Sequence, residues 1–564
     1  MSKIKIYIMS FVILLTFLFR INGTFYGSPF FLVGDEYSLV GGTLKLLELK
    51  TMFPVLYPAE KFQILIYPML IPYLYLILYA PYILYEFVNN SFLVNEFFIS
   101  NLLENLHYFL LISRFSSAII STLTVVVVYL IAKSIFKSFH IAIFCSLLIS
   151  FDWITVITSH FARHWNLTTL IVWTGIMLAM YVKNNENKKY YIWTGILSGL
   201  GYGTSYIFGS LAILPLIFAH IFKYKSTINK YKKLVLSILF FLIFVIFFTL
   251  VNPYPLERLL FTNVTPINSE KSFSIYFQSF LFYFKILFIS NPFLVVLSIL
   301  GLLSSLFLKN SKQICFFILA SIFSYIFLLS TIVEDEDRYI ILIIPTLAIL
   351  ACYNLVLLNQ LKLNNKIKLF LYFLVYISIL PNIVFSYITN NVLNQNDTRI
   401  QAIEWYENQK QFVLNETKVI NLMRNVQFNA NLSSIFEKNK LNNQSLNAIE
   451  RYKLKSKYFK SLNDYFCLNL DEPERIKITK NNQKFLNYIN ENNYKLIFIS
   501  YFSADEKPTF VNDKNNFKLI KKINPTNNKI ITPNLRSKKL VNFIPINFIY
   551  FDSLGPTVEV YEIN

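Results

Sequence analysis

RFSSAIISTLTVVVVYLIAKSIFK, residues Arg114–Lys137, decides how the rest of the chain is read. One arginine opens it, an uncharged apolar run follows, and Lys133 and Lys137 close it. A helix rises about 1.5 Å per residue, so about 20 apolar residues cross the roughly 30 Å core of a bilayer. Basic residues just beyond such a run mark its cytoplasmic end. Apolar runs recur at 4–21, 63–85, 109–132, 138–158, 168–182, 190–222, 233–251, 292–308, 313–333, 339–358 and 367–388. The run 190–222 is too long for one crossing, and Gly199, Gly201 and Gly203 near its middle predict a helical hairpin with its tip at Gly201–Tyr206 (GYGTSY). The expectation is a multi-pass α-helical membrane domain over 1–389, with 11–13 helices and a first outer loop at 22–62.

Composition agrees. The 564 residues are 55% hydrophobic and 17% aromatic, with mean hydropathy +0.47, far from a soluble domain. The formal charge of +20 suggests nucleic acid until the lysines are placed. They cluster at Lys133/Lys137, Lys183/Lys188/Lys189, Lys223–Lys233, Lys309/Lys312 and Lys362/Lys366/Lys368, each beside a run. That is the positive-inside pattern, and it excludes a nucleic-acid partner. Lys3 and Lys5 before the first run predict an uncleaved first helix with a cytoplasmic N-terminus in the cell membrane. Asp35, Ser159–Asn166, Glu334–Arg338 and everything after Asn390 then fall outside. The same count requires an even number of crossings between Phe62 and Ser113, where only one clear run is visible.

After Tyr387 Asn, Lys, Glu and Asp dominate. Strand-like runs at 418–422, 495–500, 517–523 and 557–563, with a helical 398–409, predict an extracytoplasmic soluble α/β domain over 390–564. Cys145, Cys315, Cys352 and Cys467 show no zinc or disulfide spacing.

Three stretches carry candidate chemistry. In FFLVGDEYSLVGG, Asp35 and Glu36 open a predicted amphipathic helix to Leu49; they either favour its dipole or act as a functional acidic pair. In SHFARHWN, Ser159–Asn166, His160 and His164 stand i,i+4; on a helix they would share a face and could ligate a divalent metal, although no third ligand is near and interfacial anchoring is the plainer alternative. Arg163 between them suits a phosphate, which arginine binds bidentately. In EDEDRYIILIIP, Arg338 with Tyr339 opens a span, either as an interfacial anchor or as a contact to an anionic headgroup. Arginine is scarce: between residues 22 and 389 only Arg114, Arg163, Arg258 and Arg338 occur.

The order of these stretches resembles the GT-C glycosyltransferases, specifically the protein-mannosyltransferase and aminoarabinose-transferase-like (family 39-like) group. That group shows a DE-x-x-Y-like signature, an R-L-P-S-A-like helix start, an S-R-x-A-R-x-D-like turn and a late R-Y span. Here the first reads Asp35-Glu36-Tyr37, Ser116 stands for the proline, His160 replaces the first arginine and Trp165 the carboxylate. The resemblance implies transfer of a sugar from a polyprenyl-phosphate donor to a lipid, glycan or protein acceptor at the outer face. It implies Asp35 as general base, Glu36 orienting a substrate hydroxyl or a neighbouring cation, and Lys61, Arg163 and Arg338 (with Tyr339) holding the lipid phosphate. No cofactor is implied beyond a divalent metal at His160 and His164. The competing classes are a lipid-linked sugar transporter or flippase, and a non-catalytic membrane scaffold.

Overall fold

The computed structural model describes residues 3–34, 36–57, 65, 67–184, 187–223, 231–252, 254, 273–308, 324–327, 329–330, 337–409, 412, 417–440, 450, 453–454, 465–470, 482–502, 506–526 and 551–564. The expected segment 313–333 falls mostly outside them. Among the described residues six helices are long and apolar enough to cross a membrane, or eight when two bent pairs each count as one span. Shorter apolar helices at Phe208–Ile221 and Ile344–Gln360 add to these. The protein is a multi-pass membrane protein with a C-terminal sheet, the fold class expected.

The first half runs α1 Lys3–Ile21, α2 Glu36–Glu48, α3 Leu70–Asn89, α4 Glu96–Glu104, α5 Leu106–Phe136, α6 Phe139–Ser150, α7 Trp153–Ser159 and α8 Trp165–Asn184. α6 and α7 form a span bent by 59°. Tyr79 on α3 meets Ser113 and Phe109, and Tyr82 meets Phe109 and Tyr108. α3 therefore runs antiparallel to the first turns of α5, away from Lys133, and the nine-residue α4 is too short to cross. This is how the stretch between 62 and 113 is filled without a second full span.

α9 Lys188–Ser205, α10 Ile207–Ser210, α11 Ile213–Lys223 and α12 Tyr231–Val251 follow. The hairpin exists, but helix continues to Ser205 and the tip is Tyr206, at φ 53°. The glycines serve packing instead. A Cβ on Gly195 would lie 2.2 Å from Ser237 O, one on Gly199 2.5 Å from Phe244 Cβ, and one on Gly203 2.4 Å from Phe248 Cε2. One glycine per turn thus lets α9 and α12 backbones approach where lipid supplies no hydrophobic drive.

Then come α13 Phe273–Ser290, α14 Pro292–Leu306, α15 Ile344–Gln360, α16 Asn365–Ile377, α17 Leu380–Leu393 and α18 Thr398–Glu407. A short 3-10 turn at Asp337–Leu342 leads into α15. The C-terminal region adds β1 Val419–Leu422, α19 Leu432–Lys440, β2 Cys467–Asn469, α20 Asn482–Glu491, β3 Leu496–Tyr501, β4 Phe517–Ile523 and β5 Thr557–Ile563. Four strands match the expected runs; β2, three residues long, was not foreseen. The strand order is β2-β1-β3-β5-β4, with β1, β2 and β3 parallel and β5 antiparallel to both neighbours. One hydrophobic cluster runs from Val125, Trp153 and Leu350 in the helices through Ile400 to Val419, Phe498 and Val558 in the sheet.

Glu559 on β5 is buried and accepts from Lys507 (2.7 Å), Lys522 (3.0 Å), Tyr501 (2.8 Å) and Tyr561 (2.6 Å). Burial raises its pKa, but these donors outweigh burial and hold it at about 2, below the usual 4.5. The folded-state pKa is depressed, so its contribution is complete above about pH 4.5 and lost as pH falls towards 2. With two part-exposed lysines screening it, that contribution is about 2 kcal/mol. Glu559→Gln should flatten the loss of thermal stability of the full-length protein between pH 5 and pH 2.5; an unchanged acid profile would refute this account.

Candidate active site

The acidic loop is fixed from below by one ion pair. Glu36, the first residue of α2, and Arg114 on α5 are both fully buried. Arg114 Nε donates to Glu36 Oε1 at 2.9 Å and Nη2 to Oε2 at 2.7 Å, the planar two-point fit that arginine makes with carboxylate. Its Nη1 donates to the carbonyls of Thr24 (2.8 Å) and Tyr26 (2.5 Å). The backbone N–H of Ala162 donates to Glu36 Oε1 at 2.7 Å. Both carboxylate oxygens are thus taken by the protein. This corrects the substrate-binding role expected of Glu36: of the two alternatives, the contacts favour holding a cation. Asp35, its chain neighbour, and Lys61 lie outside the described residues.

Ala162 belongs to the turn between α7 and α8. Asp152 caps α7 by accepting from Thr155 N at 2.9 Å, and helix stops at Ser159. Residues 160–164 are not helical, so His160 and His164 do not share a helix face. His160 Nε2 pairs with the carbonyl of Asn22 at 2.8 Å, and its ring lies where a side chain at Gly23 (φ 115°) would sit. His164 packs between Tyr67 (4.8 Å) and Trp165 (4.3 Å). Among the described residues no three His, Cys, Asp or Glu are grouped to hold a metal ion. The metal expectation is corrected: the two histidines tie a turn in place. Arg163 is 5% exposed, and the Tyr75 phenol lies within electrostatic reach of both Glu36 and Arg163.

Arg338 is 7% exposed and its guanidinium stands 5.6 Å from the Tyr339 ring. Tyr339 in turn packs on Trp165 at 4.7 Å, and Tyr325 donates to its carbonyl at 2.6 Å. An aromatic row therefore joins Arg338, through Tyr339, Trp165 and His164, to Tyr67. The three stretches that looked separate in sequence converge on the turn 160–164. Glu334, Asp335 and Glu336 are outside the described residues.

Residues 99–249 match the family model of the dolichyl-phosphate-mannose-protein mannosyltransferases. The match carries Arg114 and the whole Ser159–Asn166 turn, and over it the resemblance read from the motifs is borne out. Asp35, Glu36 and Arg338 lie beyond its ends. Among solved structures, ArnT from Cupriavidus metallidurans in the apo state is 11% identical, with TM-score 0.45, covering 98% of this chain and 97% of that one. The same protein bound to undecaprenyl phosphate gives 10% identity and TM-score 0.45 over the same shares of the two chains. No curated protein matches the chain.

Sequence reasoning missed a second polar centre in the mannosyltransferase-like part. Arg20, at the end of α1, is fully buried; its Nε donates to Ser121 Oγ at 2.8 Å and its Nη2 to the carbonyl of Ile149 at 3.2 Å. Asp152 is fully buried too and accepts from Asn291 Nδ2 at 2.8 Å, while Asn382 donates to Asn291 Oδ1 at 3.2 Å. Ionisable groups inside apolar segments are costly and mark constrained positions. Arg20 in LLTFLFRI and Asp152 in LLISFDWI were legible by that signal; they fix the bend between α6 and α7 and hence the height of the 160–164 turn.

Proposed function

We propose that the chain is a membrane glycosyltransferase that moves a sugar from a polyprenyl-phosphate carrier to an acceptor hydroxyl at the outer face of the membrane. Asp35 takes the acceptor proton, the freed oxygen attacks the anomeric carbon, and the bond from that carbon to the lipid phosphate breaks. The phosphate leaves with the electron pair, and Arg163, Arg338 and Lys61 stabilise its charge. Attack opposite the leaving group needs one base, which accords with a single available carboxylate. Tyr339 packs beside Arg338 and fixes its position.

One observation carries this reading: the double hydrogen bond of Arg114 to Glu36, with the Ala162 N–H closing the site. It fastens the neighbour of Asp35 against the turn that bears Arg163. The base and a phosphate-binding cation then belong to one locality, as a single donor molecule requires. The family match over 99–249 supports the same class. The test is transfer by the purified full-length protein in vesicles supplied with radiolabelled polyprenyl-phosphate sugars and membrane extracts as acceptor. Release of polyprenyl phosphate that requires acceptor is the expected result. Movement of the intact lipid-linked sugar across the bilayer without release would establish the transporter instead.

A further inference from the structure

The acidic loop is held from a second side, by the C-terminal region. Tyr26 donates its phenol to Asp397 Oδ2 at 2.6 Å, across 371 residues of chain. Both groups are buried. The carbonyl of the same Tyr26 accepts from Arg114, whose other nitrogens hold Glu36. One residue thus faces the Glu36 lock with its backbone and the sheet region with its side chain.

Asp397 is itself immobilised. Its Oδ1 accepts from Arg399 Nε at 2.8 Å and its Oδ2 from Arg399 Nη2 at 2.9 Å. Arg399 Nη1 donates to the carbonyl of Arg424, just past β1, at 2.8 Å. Thr398 N donates to the Leu554 carbonyl at 3.0 Å, and its hydroxyl to that of Pro556 at 2.6 Å, just before β5. Gly555 sits at φ +118°, and a Cβ there would lie 2.7 Å from Asp397 Oδ1; only glycine lets the backbone press this close. A parallel tie joins Asn394 Nδ2 to Asn22 Oδ1 at 2.6 Å, at the other end of the loop's entry.

We propose that Tyr26 and Asp397 are positioning residues, through which the C-terminal sheet sets the placement of the loop carrying Asp35 and Glu36. The sheet region is then part of the catalytic geometry rather than only a cover over it. For its turnover arm this rests on the glycosyltransferase reading; for its structural arm it does not.

Tyr26→Phe removes the hydroxyl and leaves the ring in its place near Phe161. In the full-length protein in lipid vesicles, amide exchange at Ala162, whose N–H reports on Glu36, should quicken about tenfold, the size expected for losing a hydrogen bond to a carboxylate. Turnover should fall about tenfold in kcat with the donor KM within about twofold, the pattern of lost alignment rather than lost binding. Asp397→Asn should behave alike, and the double variant should be no worse than the poorer single. Unchanged exchange at Ala162 in Tyr26→Phe overturns the coupling whatever reaction the protein performs. Faster exchange with wild-type kcat overturns the positioning role. Absence of transfer by the wild-type chain overturns the glycosyltransferase reading alone, and the exchange measurement then decides the coupling.

Discussion

Arg114→Leu should cost about 3–5 kcal/mol of stability, more than any other single change in the membrane-embedded part. The substitution leaves Glu36 charged and fully buried with one backbone donor, Ala162 N–H. It also strips the donors from the carbonyls of Thr24 and Tyr26. An uncompensated buried charge is the costly outcome, whereas removing both partners is far milder. The double variant Arg114→Leu/Glu36→Leu should therefore recover much of the loss. The measurement is the unfolding midpoint and the monodisperse fraction of the detergent-solubilised protein. A single variant as stable as wild type would refute the ion-pair assignment. A double variant as poor as the single would move the cost to the two carbonyls. Arg114→Lys should not rescue, because an ammonium cannot make the planar two-point contact and reach both carbonyls.

Asp35→Asn should lower transfer by about 10²–10⁴-fold, the span general-base catalysis supplies. Folding should be unaffected, because the anchoring of this loop is assigned to Glu36 and Tyr26. The donor KM should change little, since the base acts on the acceptor proton in the transition state and not on the lipid phosphate. Single-turnover release of polyprenyl phosphate, read beside the unfolding midpoint, checks both halves. Turnover within about threefold of wild type would remove Asp35 from the role of base. A raised donor KM at full kcat would instead make it a binding group.

What the sequence disclosed follows from the range of the forces involved. Local period and composition sufficed for the membrane spans and for four strands, because helix and strand amphipathicity are written within about ten residues. β2 escaped because CLN is too short to show alternation. The Arg114–Glu36 pair bridges 78 positions, and Tyr26–Asp397 many more; such contacts exist only after helices pack, and nothing in either segment alone announces them. The histidine reading failed for a local reason. It assumed helical spacing across SHFARHWN, whereas α7 ends at Ser159 and the turn sends the two rings to different neighbours. The glycines of α9 were read as breakers, since glycine is costly in a helix. In a bilayer close backbone contact offsets that cost, which inverts the rule.

The sheet order has a consequence for how the chain is made. β5 lies between β3 and β4 yet leaves the ribosome after both. Until it arrives, β3 and β4 have no common neighbour, and two unpaired strand edges wait together. β4 carries Lys518, Lys521 and Lys522, charges that resist pairing with a wrong partner. Closure of the sheet is therefore a late event in biogenesis. Gly555 and Pro556 meet Thr398 only at that moment, so the clamp on Asp397 reports that synthesis has passed residue 557.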